Sequence, residues 1–185
     1  MKRLQILTLI SLLILSPTAI SEESGFRLGI ELGTGNVQVD AEDTILDLPN
    51  DDGFGVGWEV QYRWANNMVA ALNFSSMSDD FLLSGLDHYS TYQASLMLGY
   101  ALPLNDTISL VPMVGINDWE VKEQEGFILN PGPEDEIIFE GTDITAKVAV
   151  DVALSESWRL SLSYAYTDTD VGSISRQMFG LAYQF

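Results

Sequence analysis

Apolar and polar residues alternate one by one along most of the chain. In the last segment Phe179, Leu181, Tyr183 and Phe185 share one face, and the residues between them are small or polar. Successive side chains of a β-strand point to opposite faces, so this alternation indicates strands with one apolar face. The sequence therefore predicts an all-β protein.

Eight segments show this alternation. Their apolar faces lie within 26–32, 54–64, 68–74, 92–100, 108–116, 144–154, 158–166 and 179–185. The apolar side chains are even-numbered in the first seven segments and odd-numbered in the eighth. A tilted transmembrane strand needs roughly 9–11 residues, which these segments and their flanks supply.

The connections between these segments alternate in length. Tight turns are predicted at 65–67, 102–106 and 155–157, and longer loops at about 40–52, 79–87 and 118–141, with a short one near 168–173. Aromatic residues such as Tyr62, Trp64, Trp158 and Tyr100 stand at strand ends, where a membrane–water interface favours them. The sequence thus predicts an eight-stranded antiparallel up-and-down transmembrane β-barrel with short periplasmic turns and longer acidic extracellular loops.

Charged residues within the strands separate a membrane barrel from a water-soluble one. A soluble barrel turns its apolar face inward, but here the charged side chains share the opposite face from the apolar ones. These residues are predicted to form a lumen charge network: Arg27, Glu31, Glu59, Arg63, Lys147, Asp151, Arg159 and Arg176.

An eight-stranded barrel is just wide enough for side chains to fill its interior. We therefore expect a salt-bridged plug, in which Glu59 is a partner for Arg63 or Arg159. A narrow gated pore through the same network is the alternative. Met97, Met113 and Met178 are expected to fill space in the interior.

The first 21 residues have the features of a cleaved secretory signal peptide. Lys2 and Arg3 precede an apolar stretch over 4–15, and residues 19–21 fit a small-x-small cleavage site. The stretch is shorter than the roughly 20 residues of a spanning helix. We expect residues 22–185 to form the barrel domain, in the outer membrane of a Gram-negative cell. Since the chain has no cysteine, thiol chemistry and disulfides are excluded.

The charge distribution is strongly acidic. The chain has 27 acidic and 8 basic residues and a formal net charge of −19. Most carboxylates fall in the predicted outer loops, where Lys122 is the only base. This charge excludes nucleic acid as a natural partner. It favours divalent cations or a basic surface ligand at the loops, and no cofactor is expected.

One pair of residues suggests a different chemistry. His88 and Ser90 are predicted to face lipid near the outer interface, beside Asp87. A histidine, a serine and an acid are the usual components of a hydrolytic site. His-x-Ser also resembles the motif of outer-membrane lipid A deacylases, so a lipid A-modifying hydrolase is a second alternative to a non-enzymatic barrel.

Several segments resemble the small OmpA-like and OmpX-like barrels of outer membranes. They are the C-terminal 180–185, the strand 158–164, and residues 98–100 with the following turn 104–106. The resemblance implies that Phe179, Leu181, Tyr183 and Phe185 form a membrane-insertion signature, which the barrel assembly machinery recognises. It also implies contact with outer-membrane lipid and lipopolysaccharide, and a non-enzymatic structural, adhesive or surface-interaction role.

Overall fold

The computed structural model describes residues 24–39, 53–78, 88–124, 126–127, 130–131 and 136–185. The predicted signal peptide and the predicted loops at about 40–52 and 79–87 lie outside these residues. No helix in the described ranges is long and apolar enough to cross a membrane.

Eight long strands form the body of the protein. They are β1 (Gly25–Val39), β2 (Gly53–Arg63), β3 (Met68–Ser78), β4 (His88–Tyr100), β5 (Ile108–Gln124), β6 (Glu136–Ala153), β7 (Trp158–Thr169) and β8 (Gly172–Gln184). Three short pieces accompany them: Leu102–Pro103 pairs with β5, and Gly126–Phe127 pairs with Asn130–Pro131.

The eight strands form one closed antiparallel barrel. Each strand pairs with its neighbours in sequence, β1 pairs with β8, and the β4–β5 ladder completes the circle. Starting at Gly57 on β2, directly paired residues can be followed from strand to strand round the barrel. One direction leads to Gly141 on β6, and the other direction leads to Asp151 on the same strand. This shift of ten residues (151 minus 141) means that the strands are tilted steeply against the barrel axis.

The two faces of each strand have opposite surroundings. Outward Ile30 and Leu162 are 60% and 62% exposed, whereas inward Met97 and Asn117 are 0% exposed. Even-numbered side chains point outward in β1 to β7, and odd-numbered ones do so in β8. The predicted fold class and the direction of each strand's apolar face are confirmed.

The predicted third loop, 118–141, is wrong over much of its length. Strand β5 continues to Gln124 and β6 begins at Glu136. The alternation persists here because Trp119, Val121 and Phe139 still point inward. Beyond Ile116 and Ile144, toward the extracellular end, the outward residues are polar. The apolar alternation therefore stops there, and the sequence pattern indicated a loop.

The predicted short loop near 168–173 is also shorter than expected. Strand β7 reaches Thr169 and β8 begins at Gly172, so only Asp170 and Val171 connect them. Gly172 has a φ of 150°, which favours glycine. At the opposite end, the predicted turn 65–67 is present and Asn67 takes a left-handed φ of 64°.

Candidate functional site

The lumen contains a group of buried charges contributed by strands from all round the barrel. The ammonium of Lys147 on β6 lies 2.8 Å from Glu31 Oε1 on β1 and 2.7 Å from Glu59 Oε2 on β2. Lys147 and Glu31 are about 95% buried. Arg63 or Arg159 was expected as the partner of Glu59, and the structure shows the ammonium of Lys147 reaching Glu59 across the lumen.

A second ion pair lies nearer the periplasmic end. Arg27 Nη1 lies 2.9 Å from Asp151 Oδ2 and also donates to Gln61 Oε1 at 3.2 Å. The side-chain oxygen of Gln184 accepts from Nε of both Arg27 and Arg159, each at 3.1 Å. A glutamine on the last strand therefore joins two arginines on different strands.

Arg176 is joined to the Lys147 group through an amide. Its guanidinium donates to Asn73 Oδ1 at 3.1 Å and to the hydroxyl of Ser75. Asn73 in turn donates to Glu31 Oε2 at 2.6 Å. Arg63 is also buried, at 2% exposure.

Sequence reasoning missed the neutral members of this group. Gln61, Asn73, Ser75 and Gln184 all have the inward parity of their strands. Their parity identifies them as inward-facing, whereas a criterion of charge does not include them.

Two apolar clusters lie in the same interior. One contains Val69, Ala71, Met97, Ala101, Val111, Met113 and Ala149, and the other contains Met77, Trp119, Val121 and Ile174. The second cluster lies at the extracellular ends of the strands and is covered by Val37, Phe139 and Val171. Met97, Met113 and Met178 are all buried inward, as expected.

A neutral polar network lies below this outer apolar cluster. The Asn117 amide donates to Gln93 Oε1 at 3.1 Å and to Thr167 Oγ1 at 3.3 Å, and it accepts from Ser95 at 2.7 Å. Above it, the Trp119 indole donates to Asp143 Oδ2 at 2.8 Å. Asp143 lies on β6 and points inward, although it was not among the charged residues predicted to face the lumen.

The space left among the lumen charges is small. A cavity of about 30 Å³ lies between Arg27, Glu31, Glu59, Lys147 and Asp151. This volume holds about one water molecule. In the part of the chain that the structure describes, no group of three or more histidine or carboxylate side chains could hold a metal ion.

Of the residues proposed for hydrolysis, only Ser90 has its side chain in the part of the chain that the structure describes. Ser90 is 5% exposed, so its hydroxyl is not presented to lipid. The side chain of His88 lies outside the part of the chain that is described. The prediction of a lipid-facing Ser90 is therefore wrong.

Lys122 was expected in a loop but lies on β5. Its ammonium is 3.0 Å from Glu120 Oε1 and 5.1 Å from the centre of the Tyr92 ring. Asp118, Glu120 and Glu140 are likewise on strands, and their even numbers place them on the outer face.

The aromatic residues near the periplasmic end contact one another on the outer wall. Ring centres of Trp158 and Tyr183 are 5.2 Å apart, and those of Tyr183 and Phe185 are 5.0 Å apart. Phe179 and Phe185 are 55% and 74% exposed. The C-terminal strand thus presents a continuous apolar face to the outside.

A closed antiparallel barrel with an apolar outer wall and a charged, packed interior is a transmembrane β-barrel. The sequence pattern of the outer membrane protein beta-barrel domain matches residues 6–185, so the chain belongs to this family. The protein is located in the outer membrane of a Gram-negative cell.

Solved structures show the same fold at low sequence identity. Ail, the attachment invasion locus protein of Yersinia pestis, is 18% identical with a TM-score of 0.63, over 88% of this chain and 100% of Ail. Neisserial surface protein A is 14% identical with a TM-score of 0.65, over 88% of this chain and 98% of that protein. OprG from Pseudomonas aeruginosa is 15% identical with a TM-score of 0.55, over 90% of this chain and 99% of OprG. No curated protein matches the chain.

Proposed function

We propose that this protein is a non-enzymatic outer-membrane barrel that presents an acidic surface for interaction and whose lumen is plugged. The observation that carries the proposal is the β5–β6 hairpin, which continues past the apolar outer wall. It has strands of 17 and 18 residues, against 11 residues in β2 and β3.

The extended hairpin has an open edge. Residues 136–144 of β6 pair with β5, whereas the ladder between β6 and β7 begins only at Thr145 and Thr167. Among the described strands, none pairs with the other edge of this segment. An unpaired strand edge can accept an extended segment of another chain by backbone hydrogen bonding.

The charge of this end favours a basic ligand. Asp118, Glu120 and Glu140 lie on the hairpin, and further acidic residues fall between its strands in the sequence. Ail has been solved in complex with the heparin analogue sucrose octasulfate, at 20% identity to this chain and a TM-score of 0.60. Carboxylates repel a polysulfated ligand, so this chain should select the opposite charge.

A binding experiment tests the surface role. The detergent-solubilised barrel is immobilised and probed with polylysine and with sucrose octasulfate. We expect polylysine to bind with an affinity that falls as salt rises, and sucrose octasulfate not to bind. The combined substitution Glu134→Gln, Asp135→Asn should weaken polylysine binding.

Asp106→Asn with Glu156→Gln is the matched control, because both residues lie in turns at the opposite end. If the control weakens polylysine as much as the hairpin variant does, only the overall charge matters. Binding of sucrose octasulfate in place of polylysine would contradict the proposed ligand charge.

Several contacts support a plugged lumen. The ion pairs of Lys147 and Arg27 span the interior, the cavity among them holds about one water, and an apolar cluster lies at the extracellular end. Conduction needs a continuous path for hydrated ions, and these layers leave little room for one.

The burial of Ser90 supports a non-enzymatic role. Incubation of the purified barrel with lipopolysaccharide, followed by mass analysis of lipid A, tests this directly. We expect an unchanged acyl pattern. Loss of an acyl chain that disappears in Ser90→Ala would restore the hydrolase alternative.

We also propose that Phe179, Leu181, Tyr183 and Phe185 act as the insertion signature. Their outward, apolar arrangement on the last strand supports recognition by the barrel assembly machinery.

A further inference from the structure

A groove of about 870 Å³ crosses the outer wall from β2 to β6. Each of these five strands contributes three consecutive residues: 56–58, 74–76, 92–94, 118–120 and 140–142. The outward-facing first and third residues form two walls, and the backbone of the inward-facing middle residue forms the floor.

The β2–β3 end of the groove is aromatic and apolar. The rings of Trp58 and Phe74 are stacked with centres 4.4 Å apart and an interplanar angle of 18°. Trp58 and Val56 are 45% and 46% exposed. These residues belong to the apolar outer wall, so this end of the groove is continuous with the membrane-facing surface.

The β5–β6 end of the groove is acidic. Asp118, Glu120 and Glu140 line it, and the Thr142 hydroxyl donates to Asp118 at 2.9 Å. One ammonium, that of Lys122, lies beside it at 3.0 Å from Glu120. Three carboxylates against one ammonium leave this end net negative.

The tilt of the strands places the two ends at different depths. Trp58 pairs with Phe74, Phe74 with Ala94, Ala94 with Asp118, and Asp118 with Thr142. In a tilted barrel such a row of paired residues climbs along the axis. The row from Trp58 to Thr142 therefore begins on the apolar part of the barrel's outer surface. It ends on the polar part of that surface, beyond Ile116 and Ile144. A molecule that fills the groove must have an apolar tail and a polar head.

We propose that this groove binds a membrane lipid whose headgroup carries a primary amine. The acyl chain lies against Trp58 and Phe74, and the ammonium lies among Asp118, Glu120 and Glu140. A purely anionic headgroup is repelled by the same carboxylates. A second copy of the chain is disfavoured in this groove, because a two-fold contact would bring two acidic patches together.

Lipid titration followed by native mass spectrometry tests this site. The purified barrel in detergent with EDTA is titrated with phosphatidylethanolamine and with phosphatidylglycerol of identical acyl chains. We expect phosphatidylethanolamine to bind more tightly by about two- to fivefold, the range for one or two exposed ion pairs. Glu120→Gln with Glu140→Gln should abolish this preference.

Asp168→Asn is the control for loss of a carboxylate elsewhere on the outer wall. Asp168 is an exposed, outward-facing acid on β7 that does not line the groove. Its substitution should leave the preference for phosphatidylethanolamine unchanged.

Three results would overturn the proposal. They are equal binding of the two lipids by the wild-type barrel, a preference that survives the Glu120 and Glu140 substitutions, and an equal loss in Asp168→Asn. Tighter binding of phosphatidylglycerol once magnesium replaces EDTA would indicate a cation bridge instead of an amine site. Dimers in place of lipid adducts would indicate a second copy as the occupant.

Discussion

Lys147 spans the lumen and contacts carboxylates from two other strands, Glu31 and Glu59, at 2.8 and 2.7 Å. An ion pair within a barrel is stable only when each charge keeps its partner, since water cannot replace it fully. Lys147 therefore holds two acids that would otherwise repel each other in a confined space.

Replacement of this ammonium should be costly. Lys147→Met leaves Glu31 and Glu59 together without their shared cation, and we expect a loss of roughly 3–5 kcal/mol in the free energy of unfolding. Glu59→Gln should cost less, because Lys147 keeps Glu31. Chemical denaturation in detergent micelles measures both changes.

Lys122→Met provides the comparison for an exposed pair. The side chains of Lys122 and Glu120 are 23% and 34% exposed, so their pairing should contribute about 0–1 kcal/mol. A loss for Lys147→Met no larger than that for Lys122→Met would show that the lumen is wet enough to screen its charges.

Strand parity predicted the inward direction of the charged residues within the recognised strands, but it missed Asp143 on the unrecognised first part of β6. It was not sufficient to predict their partners, because a contact across the barrel depends on the ten-residue shift between its closing strands. The contact of Glu59 with Lys147 on β6 was therefore not predicted. The burial of Ser90 was likewise not encoded in its even number.

Strands β5 and β6 show what apolar alternation can and cannot predict about an element. An apolar outer face indicates a strand only where lipid surrounds it, so the pattern ended at Ile116 and Ile144 while the strands continued. Inward Trp119, Val121 and Phe139 keep the period of two beyond that point. Searching for inward apolar residues would have found the extension.

Close contacts between strands make one further prediction. A methyl group at Gly115 on β5 would collide with the backbone carbonyl of Leu96 on β4. We expect Gly115→Ala to destabilise the barrel by about 1–3 kcal/mol, the usual cost of overpacking. Heat-induced loss of the folded band on gels gives the change in thermal midpoint.

Gly55→Ala is the appropriate control for this substitution. The new methyl group would lie 3.1 Å from Met77 Cγ and 3.6 Å from Met178 atoms, which are flexible side chains. Its effect should be clearly smaller. Equal effects of the two substitutions would mean that the close contact between β4 and β5 at Gly115 does not determine the loss of stability.

The whole molecule combines acidic residues on its outer face with an interior in which Lys147 and Arg27 pair with Glu31, Glu59 and Asp151. Among the described residues, five basic side chains lie in the lumen, whereas Asp118, Glu120, Glu140 and Asp168 lie on the outer face. The sequence predicted this separation because the strands alternate so regularly. The acidic end consists of carboxylates, and carboxylates bind many kinds of cationic group. The sequence therefore does not specify which ligand this end selects.

The interior predicts the electrical behaviour of the barrel. If the lumen is plugged as proposed, the purified protein should give no unitary current steps in planar bilayers over a range of pH and voltage. Protein incorporation is verified by recovery of the folded barrel from the same membranes. Reproducible steps would support the gated-pore alternative.

Spin labels at Leu162 and Ser163, adjacent residues of β7, test most directly which face of each strand meets lipid. Leu162 is 62% exposed on the outer wall and Ser163 is 4% exposed in the lumen. In reconstituted vesicles, the label at 162 should collide readily with oxygen dissolved in the hydrocarbon, and the label at 163 should not. If both labels report the same aqueous environment, the barrel's outer wall does not face the membrane.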